Sequence, residues 1–514
     1  MDISDISALS TDQALNAMGK LVDVSTDLQR IEGLERAKDQ LNKLLTAKLT
    51  FTQQSIAHYF LGNAWSFLRT LKRKESDLVW DWEQEELEQE ITHFRLAIRG
   101  ATESGFPAMH LCQIYTNLGN ALNHVGRFVE AIDYWNMALE INPNFSMALG
   151  SKGFGLVHYA KVLYDNGHVG VLLKFAHHLL TEALKRKLHR GARKGFKKYV
   201  KDVESRLKPE FLQEPLDLEE FSLGRGQSEK SYRKWCLNQR LFLNPLNDLG
   251  PYNIAARDVL TCPSVVMGIN EGPYYHGFFN QMKQEYVSAR FLFYEGLESE
   301  KPHYSDRDVL LYNTLDYPSY ALCIEEQKLA FRAAYSVLDK VAFFLNHYMR
   351  LGIRERDVSF RKLWYKKSAK ESRVLRKEFA HSKNWVFHGL FWLAKDLYED
   401  APSFRDAMEP EAQNLAEIRN HIEHKYIKIH EELWSGPLDS SDEIGLALSD
   451  TLAYSVYRDE FANKVLKMLR LARAALVYLS LGIHIEERRK AAEREQKKIV
   501  APMPLDKWED KWKV

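Results

Sequence analysis

Apolar residues recur at intervals of three and four along almost the whole chain, Gly and Pro are sparse, and period-2 runs of valine or threonine are missing. That spacing predicts helices, each burying one stripe. Residues 11–50 read as one or two amphipathic helices, with Leu15, Met18, Leu21 and Val22, then Leu41, Leu44 and Leu45, on the buried side. Five longer patterns lie further on: FNQMKQEYVSARFLFYEGL (279–297), ALCIEEQKLAFRAAYSVLDKVAFFLNHYMRLG (321–352), NWVFHGLFWLAKDLY (384–398), NLAEIRNHIEHKYIKIHEELW (414–434) and FANKVLKMLRLARAALVYLSLGIHI (461–485). The expected fold class is all-α.

Between these groups lies a repeat. CQIYTNLGNALNHVGRFVEAIDYWNMALEINPN sets Tyr115, Leu118, Gly119, Leu122, Phe128, Ala131, Trp135, Ala138 and Pro143 at offsets that resemble a tetratricopeptide repeat. Gly119 and Ala131 let two helices approach closely, the aromatics fill the gap, and Pro143 ends the second helix. One such unit cannot bury both faces, so neighbours are required. YFLGNAWSFL with ITHFRLAI reads as a degenerate upstream repeat carrying the acidic insertion DWEQEELEQE, and GSKGFGLVHYAKVL with LLTEALKRKL as a third, or an ordinary helical hairpin. A short solenoid is expected from about 50 to 190.

At Lys185 the chain turns basic, KRKLHRGARKGFKKYVK, with Phe196 and Tyr199 interleaved. Lys185, Arg186, Lys187, Arg190, Arg193, Lys194, Lys197 and Lys198 are candidates for RNA phosphates, and RKLWYKKSAK (361–370) is a second basic run. Solvated helix faces carry such charge equally well. KPEFLQEPLDLEEFSLGRGQSEKS follows, rich in Pro, Gly, Ser and acids. The expected division is N-terminal helices 1–50, repeats with the basic helix 51–205, a linker 206–230, a helical domain 231–485 and a charged tail 486–514. A fragment beginning near Ser231 is then expected to fold as a dimer and to be more toxic or less regulated than the full chain. The alternative is that the repeats pack rigidly on the helical domain and complete its core, which would make the fragment insoluble.

Composition narrows the classes. Of 514 residues, 45% are hydrophobic, and 71 Lys and Arg stand against 70 Asp and Glu, which excludes a disordered or globally basic chain. Four cysteines without C-x-x-C spacing exclude a disulfide scaffold or a cysteine zinc knuckle and suit a reducing compartment. MDISDISALSTDQ is no secretory signal, and AALVYLSLGI near 480 is too short to span a bilayer. A cytoplasmic protein with no membrane partner is expected. P-loop, H-E-x-x-H, G-x-S-x-G and G-x-G-x-x-G patterns are missing, and His110, His124, His158, His177 and His178 lack carboxylates at metal spacing, so neither metal nor cofactor is expected.

Chemistry concentrates in 414–434. Leu415, Ile418, Ile422, Tyr426, Ile429 and Leu433 make one helical stripe; His424 lies nearly opposite, Asn420 one turn earlier on the same face, and Arg419 at the flank. Arg419-Asn420-His421-Ile422-Glu423-His424 resembles the R-x4–6-H signature of the HEPN superfamily, four-helix domains found in many metal-independent ribonucleases. Arg376…His381 also fits the bare spacing, but only the 419 copy has a following Asn and a long amphipathic helix. WCLNQRLFLNPLNDLG, FNQMKQEYVSAR and AYSVLDKVAFFLN resemble a tetratricopeptide-linked branch of that family. The resemblance implies catalytic Arg419, Asn420 and His424 at a site shared by two copies, a homodimer or higher even oligomer, RNA (tRNA among the targets) as substrate, and a toxin or anti-phage role triggered by a protein or peptide bound to the repeats.

The chemistry agrees. Attack by the RNA 2′-OH needs a proton acceptor, a proton donor and a cation; imidazole serves the first two near neutral pH and guanidinium the third. The bland alternative pairs Arg419 with Glu423 at i,i+4 and leaves His424 as a solvated residue. Lys283 and Glu285, and Glu325, Lys328 and Arg332, are further candidates to line the cleft; Asp339 and Asn346 read as supporting or structural. The rival function is a non-enzymatic scaffold whose bundle only dimerises or holds nucleotide or RNA.

Overall fold

The computed structural model describes residues 9–73, 80–101, 106–299, 301–312, 314–367, 373–398, 412–431, 450, 452–494 and 500–513. Helices dominate it. Helix α1 (Thr11–Asp27) starts at a reciprocal cap, in which the Ser10 hydroxyl accepts from the Gln13 amide and the Gln13 side chain accepts from the Ser10 amide. With α2 (Ile31–Leu45) it packs on α3 (Phe51–Lys72), around Leu15, Met18, Leu41, Ala57 and Leu61 at one end and Val22, Leu34 and Leu68 at the other.

Three consecutive helix pairs occupy the expected repeat region: α3 with α4 (Glu85–Ala101), α5 (Ala108–His124) with α6 (Phe128–Ile141), and α7 (Ser146–Val162) with α8 (Asn166–Leu184). Leu118, Leu122, Phe128, Ala131, Trp135 and Ala138 of the central pair are all buried. Gly119 sets its spacing: a Cβ there would stand 2.7 Å from the Trp135 indole nitrogen and 3.1 Å from the Ala131 carbonyl oxygen. The basic helix α9 (Arg190–Glu204) lies on α7 and α8 through Phe196 and Val203. Two short helices follow, α10 (Pro209–Gln213) and α11 (Gln227–Asn238).

The second half is built on α12 (Tyr274–Glu298), α13 (Leu322–Tyr348), the one-turn α14 (Lys377–Ala380), α15 (Trp385–Tyr398), the motif helix Ala412–His424 and the C-terminal helix Arg458–Glu493. The last holds an 18-residue window apolar and long enough to cross a membrane, 83% of it buried against the rest of the fold. Two short strand pairs depart from the helical expectation. β1 (Tyr365–Lys367) runs antiparallel to β2 (Arg373–Leu375), and β3 (Tyr426–His430) parallel to β4 (Ala453–Tyr457), with Ile429 opposite Val456.

One hydrophobic cluster runs from Trp82 to Ile483, joining the repeats to the second half. Phe128 of α6 meets Trp385 at 5.1 Å and Tyr478 at 5.0 Å. The Trp385 indole donates to the Asn123 carbonyl at 3.0 Å. Trp82, inside the acidic insertion, packs among Trp364, Phe379, His388 and Phe391 and donates to the Ser382 carbonyl at 2.9 Å. Arg95 of α4 and Arg127 between α5 and α6 both clamp the buried Asp396 of α15. Gly126 and Gly389 meet backbone to backbone, a Cβ on Gly389 falling 2.3 Å from the Gly126 carbonyl oxygen. Such a seam removes the ground for expecting a fragment from Ser231 to fold alone.

Candidate functional site

The motif helix is shorter than its periodicity predicts. It ends at His424, and after Lys425 the chain enters β3, so Arg419, Asn420 and His424 occupy its last two turns. The stripe assignment holds for Leu415 and Ile418, which are buried, and Ile422, which is half-buried. Tyr426 and Ile429 belong to the strand instead, Tyr426 exposed and Ile429 buried; Leu433 lies outside the described residues. β-Branched Ile427 and Ile429 fit a pleated surface better than a helix turn, and pairing with β4 satisfies their backbone.

Opposite the buried stripe, Asn420 and His424 are exposed one turn apart, with Arg419 half-exposed beside them. Arg419 Nη1 donates to Asn420 Oδ1 at 3.2 Å, and its guanidinium carbon lies 5.6 Å from the centre of the Tyr335 ring. Glu423 does not pair with Arg419. It takes a two-point fork from Arg332 of α13, Nε to Oε1 at 2.9 Å and Nη2 to Oε2 at 3.2 Å. The hydrogen bond from Arg332 comes first among the causes that hold the Glu423 carboxyl below its ordinary range, with the charges of Arg419 and His424 adding to it. Among the described residues Arg419 has no ion-pair partner and His424 no hydrogen-bond partner. A guanidinium free of carboxylate and an open imidazole on one face can bind a phosphate and exchange a proton.

His421, inside the same six-residue motif, is buried; its Nδ1 stands 2.8 Å from the Glu417 carbonyl oxygen and its ring 5.4 Å from that of Tyr454. Behind the motif, Lys428 is buried and held by Asp316 at 2.5 Å and Asp450 at 3.0 Å. Sequence reasoning missed this lysine, whose only local signal is the alternation in Tyr-Ile-Lys-Ile-His.

Of the other cleft candidates, only Arg332 reaches the motif. Glu285 pairs with Lys340, Lys283 donates to the Leu260 carbonyl at 2.9 Å, and Glu325 pairs with Lys328 at 2.7 Å. Asp339 accepts from the Phe360 amide at 3.0 Å and Asn346 bonds both polar backbone atoms of Ile353, structural tasks both. The second R-x4-H copy is a one-turn helix flanked by Arg376 and His381, with Arg376 Nε donating to the Leu363 carbonyl at 2.9 Å. In the run 361–370, Trp364 is a core residue and Tyr365 donates to Glu83 at 3.0 Å; Ser368–Lys370 lie outside the described residues.

The basic stretch at 185–198 divides in two. Lys185 and Arg186 pair with Glu182, Arg186 also reaches Asn144 at 2.7 Å, and Arg193 donates to the Leu184 and Arg186 carbonyls at 2.9 and 2.7 Å. Lys187, Arg190, Lys194, Lys197 and Lys198 are exposed, with no ion-pair partner among the described residues.

The family model described as LA2681-like HEPN matches residues 266–486, from just before α12 to near the end of the C-terminal helix. The tetratricopeptide repeat model matches residues 112–145, covering most of α5 and all of α6. No curated protein and no solved structure matches the chain. A tetratricopeptide repeat therefore precedes, in this chain, a domain of the LA2681-like HEPN family that contains the Arg419–His424 face.

Proposed function

We propose that the chain is an endoribonuclease that cuts RNA by internal attack of the 2′-OH, without a catalytic metal, at a site that two copies build together from Arg419, Asn420 and His424. The observation that carries this reading is the pairing of Glu423 with Arg332, which leaves Arg419 without a carboxylate partner among the described residues, beside an exposed His424. One copy has one histidine on this face, whereas acid and base together need two, and a twofold axis supplies the second. Exposed apolar side chains flank the motif and suit a covering copy: Leu329, one turn from Arg332 on α13, and Tyr426, two residues after His424. The free cations of α9 offer a further track for RNA phosphates. In this reading the repeats bind a protein or peptide trigger, the compartment is the cytoplasm, and the role is that of a toxin or anti-phage effector, with tRNA among the substrates; that setting rests on analogy of fold and family.

Purified protein incubated with RNA, with and without EDTA, beside Arg419→Ala and His424→Ala, tests the proposal. Cleavage should persist in EDTA, leave 2′,3′-cyclic phosphate ends and spare DNA. Each substitution should slow it by roughly 10²–10⁴ with helicity intact. Activity lost to EDTA and restored by Mg²⁺ would end the metal-free mechanism. Cleavage untouched by both substitutions would end the site assignment and leave the scaffold reading.

A further inference from the structure

A tyrosine pair stands behind the motif arginine. Tyr335 on α13 turns its ring toward Arg419, whose guanidinium carbon is 5.6 Å from the ring centre, within the range of cation–π attraction. The Tyr335 hydroxyl accepts a hydrogen bond from the Tyr398 hydroxyl at 2.8 Å, and the two rings meet nearly edge-on at 6.4 Å. Neither tyrosine is free to swing. Tyr335 sits on a 27-residue helix whose neighbours Phe331, Ala334 and Leu338 are core residues, and Phe331 stacks along it at 6.3 Å. Tyr398 is the last residue of α15, two positions after Asp396, which Arg95 and Arg127 fix to the repeats.

Arg419 needs such support. An arginine side chain gives up much rotamer freedom when fixed. Among the described residues of its own helix, Asn420 holds it through one hydrogen bond at its Nη1 edge. A ring approached by the guanidinium restrains it without taking its N–H donors, so those left over from Asn420 stay available for a phosphate. A carboxylate in the same place would fix the side chain but neutralise it.

We propose that Tyr335, held in place by Tyr398, is the positioning residue for Arg419, setting the guanidinium for the scissile phosphate while leaving its charge and donors unspent. The proposal rests on the ribonuclease reading above. It predicts a dependence on the ring rather than on the hydroxyl.

The test uses full-length protein. Tyr335→Leu should lower kcat about 10-fold, the scale of a partly desolvated cation–π contact, with KM nearly unchanged. Tyr335→Phe should recover most of that loss, and Tyr335→Leu should add nothing in an Arg419→Ala background. Selective ¹³C labelling of arginine gives a readout that needs no activity: Arg419 side-chain protons should carry an upfield ring-current shift, kept in Tyr335→Phe and lost in Tyr335→Leu. Equal rates for the Leu and Phe variants, or an additive loss in the double variant, would overturn the positioning role. Wild-type protein that cuts no RNA would sink the ribonuclease reading and the catalytic purpose with it, while the Arg419 shift would still decide whether the ring holds the guanidinium.

Discussion

Asp396→Ala strikes the seam at a buried charge. The carboxylate accepts from Arg95 through both oxygens, with Nη2 to Oδ2 at 2.7 Å, and from Arg127 Nη1 at Oδ2. The three side chains are only 3–4% exposed. Burial alone would push the Asp396 carboxyl up, but the two guanidinium charges outweigh it and hold the group well below the ordinary carboxylate range. Removing one partner from a buried ion pair costs about 3–5 kcal/mol, because the remaining charge stays desolvated and uncompensated. Arg127 keeps Glu130 at 2.7 Å, so the loss stays near one pair's worth rather than two. Urea unfolding followed by tryptophan fluorescence, with Trp82, Trp385 and Trp392 lining the seam, should show the midpoint fall accordingly. Arg95→Met combined with Asp396→Leu replaces the pair by apolar volume and should recover most of the loss. If Asp396→Ala stays within about 1 kcal/mol of wild type, or if the double variant is no better than the single one, the carboxylate is not what ties the halves together.

Other outcomes follow from the same fold. Burial holds His58 and His388 down to about 4 and His93 and His124 to about 3, so between those values and 6.5 the unfolded chain binds protons that the native chain refuses. Stability should therefore be complete above pH 6.5 and fall with acid by up to about 1.4 kcal/mol per pH unit for each histidine; a melting temperature unchanged from pH 7 to pH 5 would contradict this. Gly389→Ala should destabilise by about 2 kcal/mol or more, since its new methyl meets the Gly126 carbonyl rather than a movable side chain; a neutral melting curve would show that the backbones can part. A fragment from Ser231 should aggregate, because it strips Phe128 from Trp385 and Tyr478 and both arginines from Asp396; recovery as a soluble, cooperatively melting species would prove the second half autonomous. Lys194→Glu, Lys197→Glu and Lys198→Glu together should weaken RNA binding and flatten its log–log salt dependence by about 2, at about 0.7 per lost single-strand phosphate contact; an unchanged slope would return α9 to the role of a solvated face.

Helices were legible where a stripe was long and nothing competed with it. The central repeat could be read residue by residue, because Gly119, Ala131 and Trp135 do within 34 residues what the packing asks of them. Misreading came where the periods overlap. Ile422, Tyr426 and Ile429 step as a helix face, yet Ile427, off that stripe, is buried as well, and burial from Ile427 through His430 belongs to a strand covered on both sides. Local pattern cannot reveal that cover, since β4 lies more than twenty residues away. Distance hid the rest in the same way. Arg332 is 91 residues from Glu423, and Tyr335 is 63 from Tyr398. Their joint task exists only once α13, α15 and the motif helix are packed.

The seam also changes what a trigger bound to the repeats would have to do. A flexible linker between two bodies would let the repeats act by moving away from the domain that carries the motif. Here Arg95 of α4 and Arg127 at the α5–α6 turn grip Asp396, and Trp385 and Phe128 bury each other across the same boundary, so separation would expose paired charges and aromatic core together. Small displacements of α15 are far less costly than separation. They arrive two residues later at Tyr398, which bonds Tyr335, whose ring faces Arg419. Regulation through this fold would therefore work by shifting a packed helix rather than by releasing a tether, and its first sign would be a changed environment at Arg419 with the seam still closed.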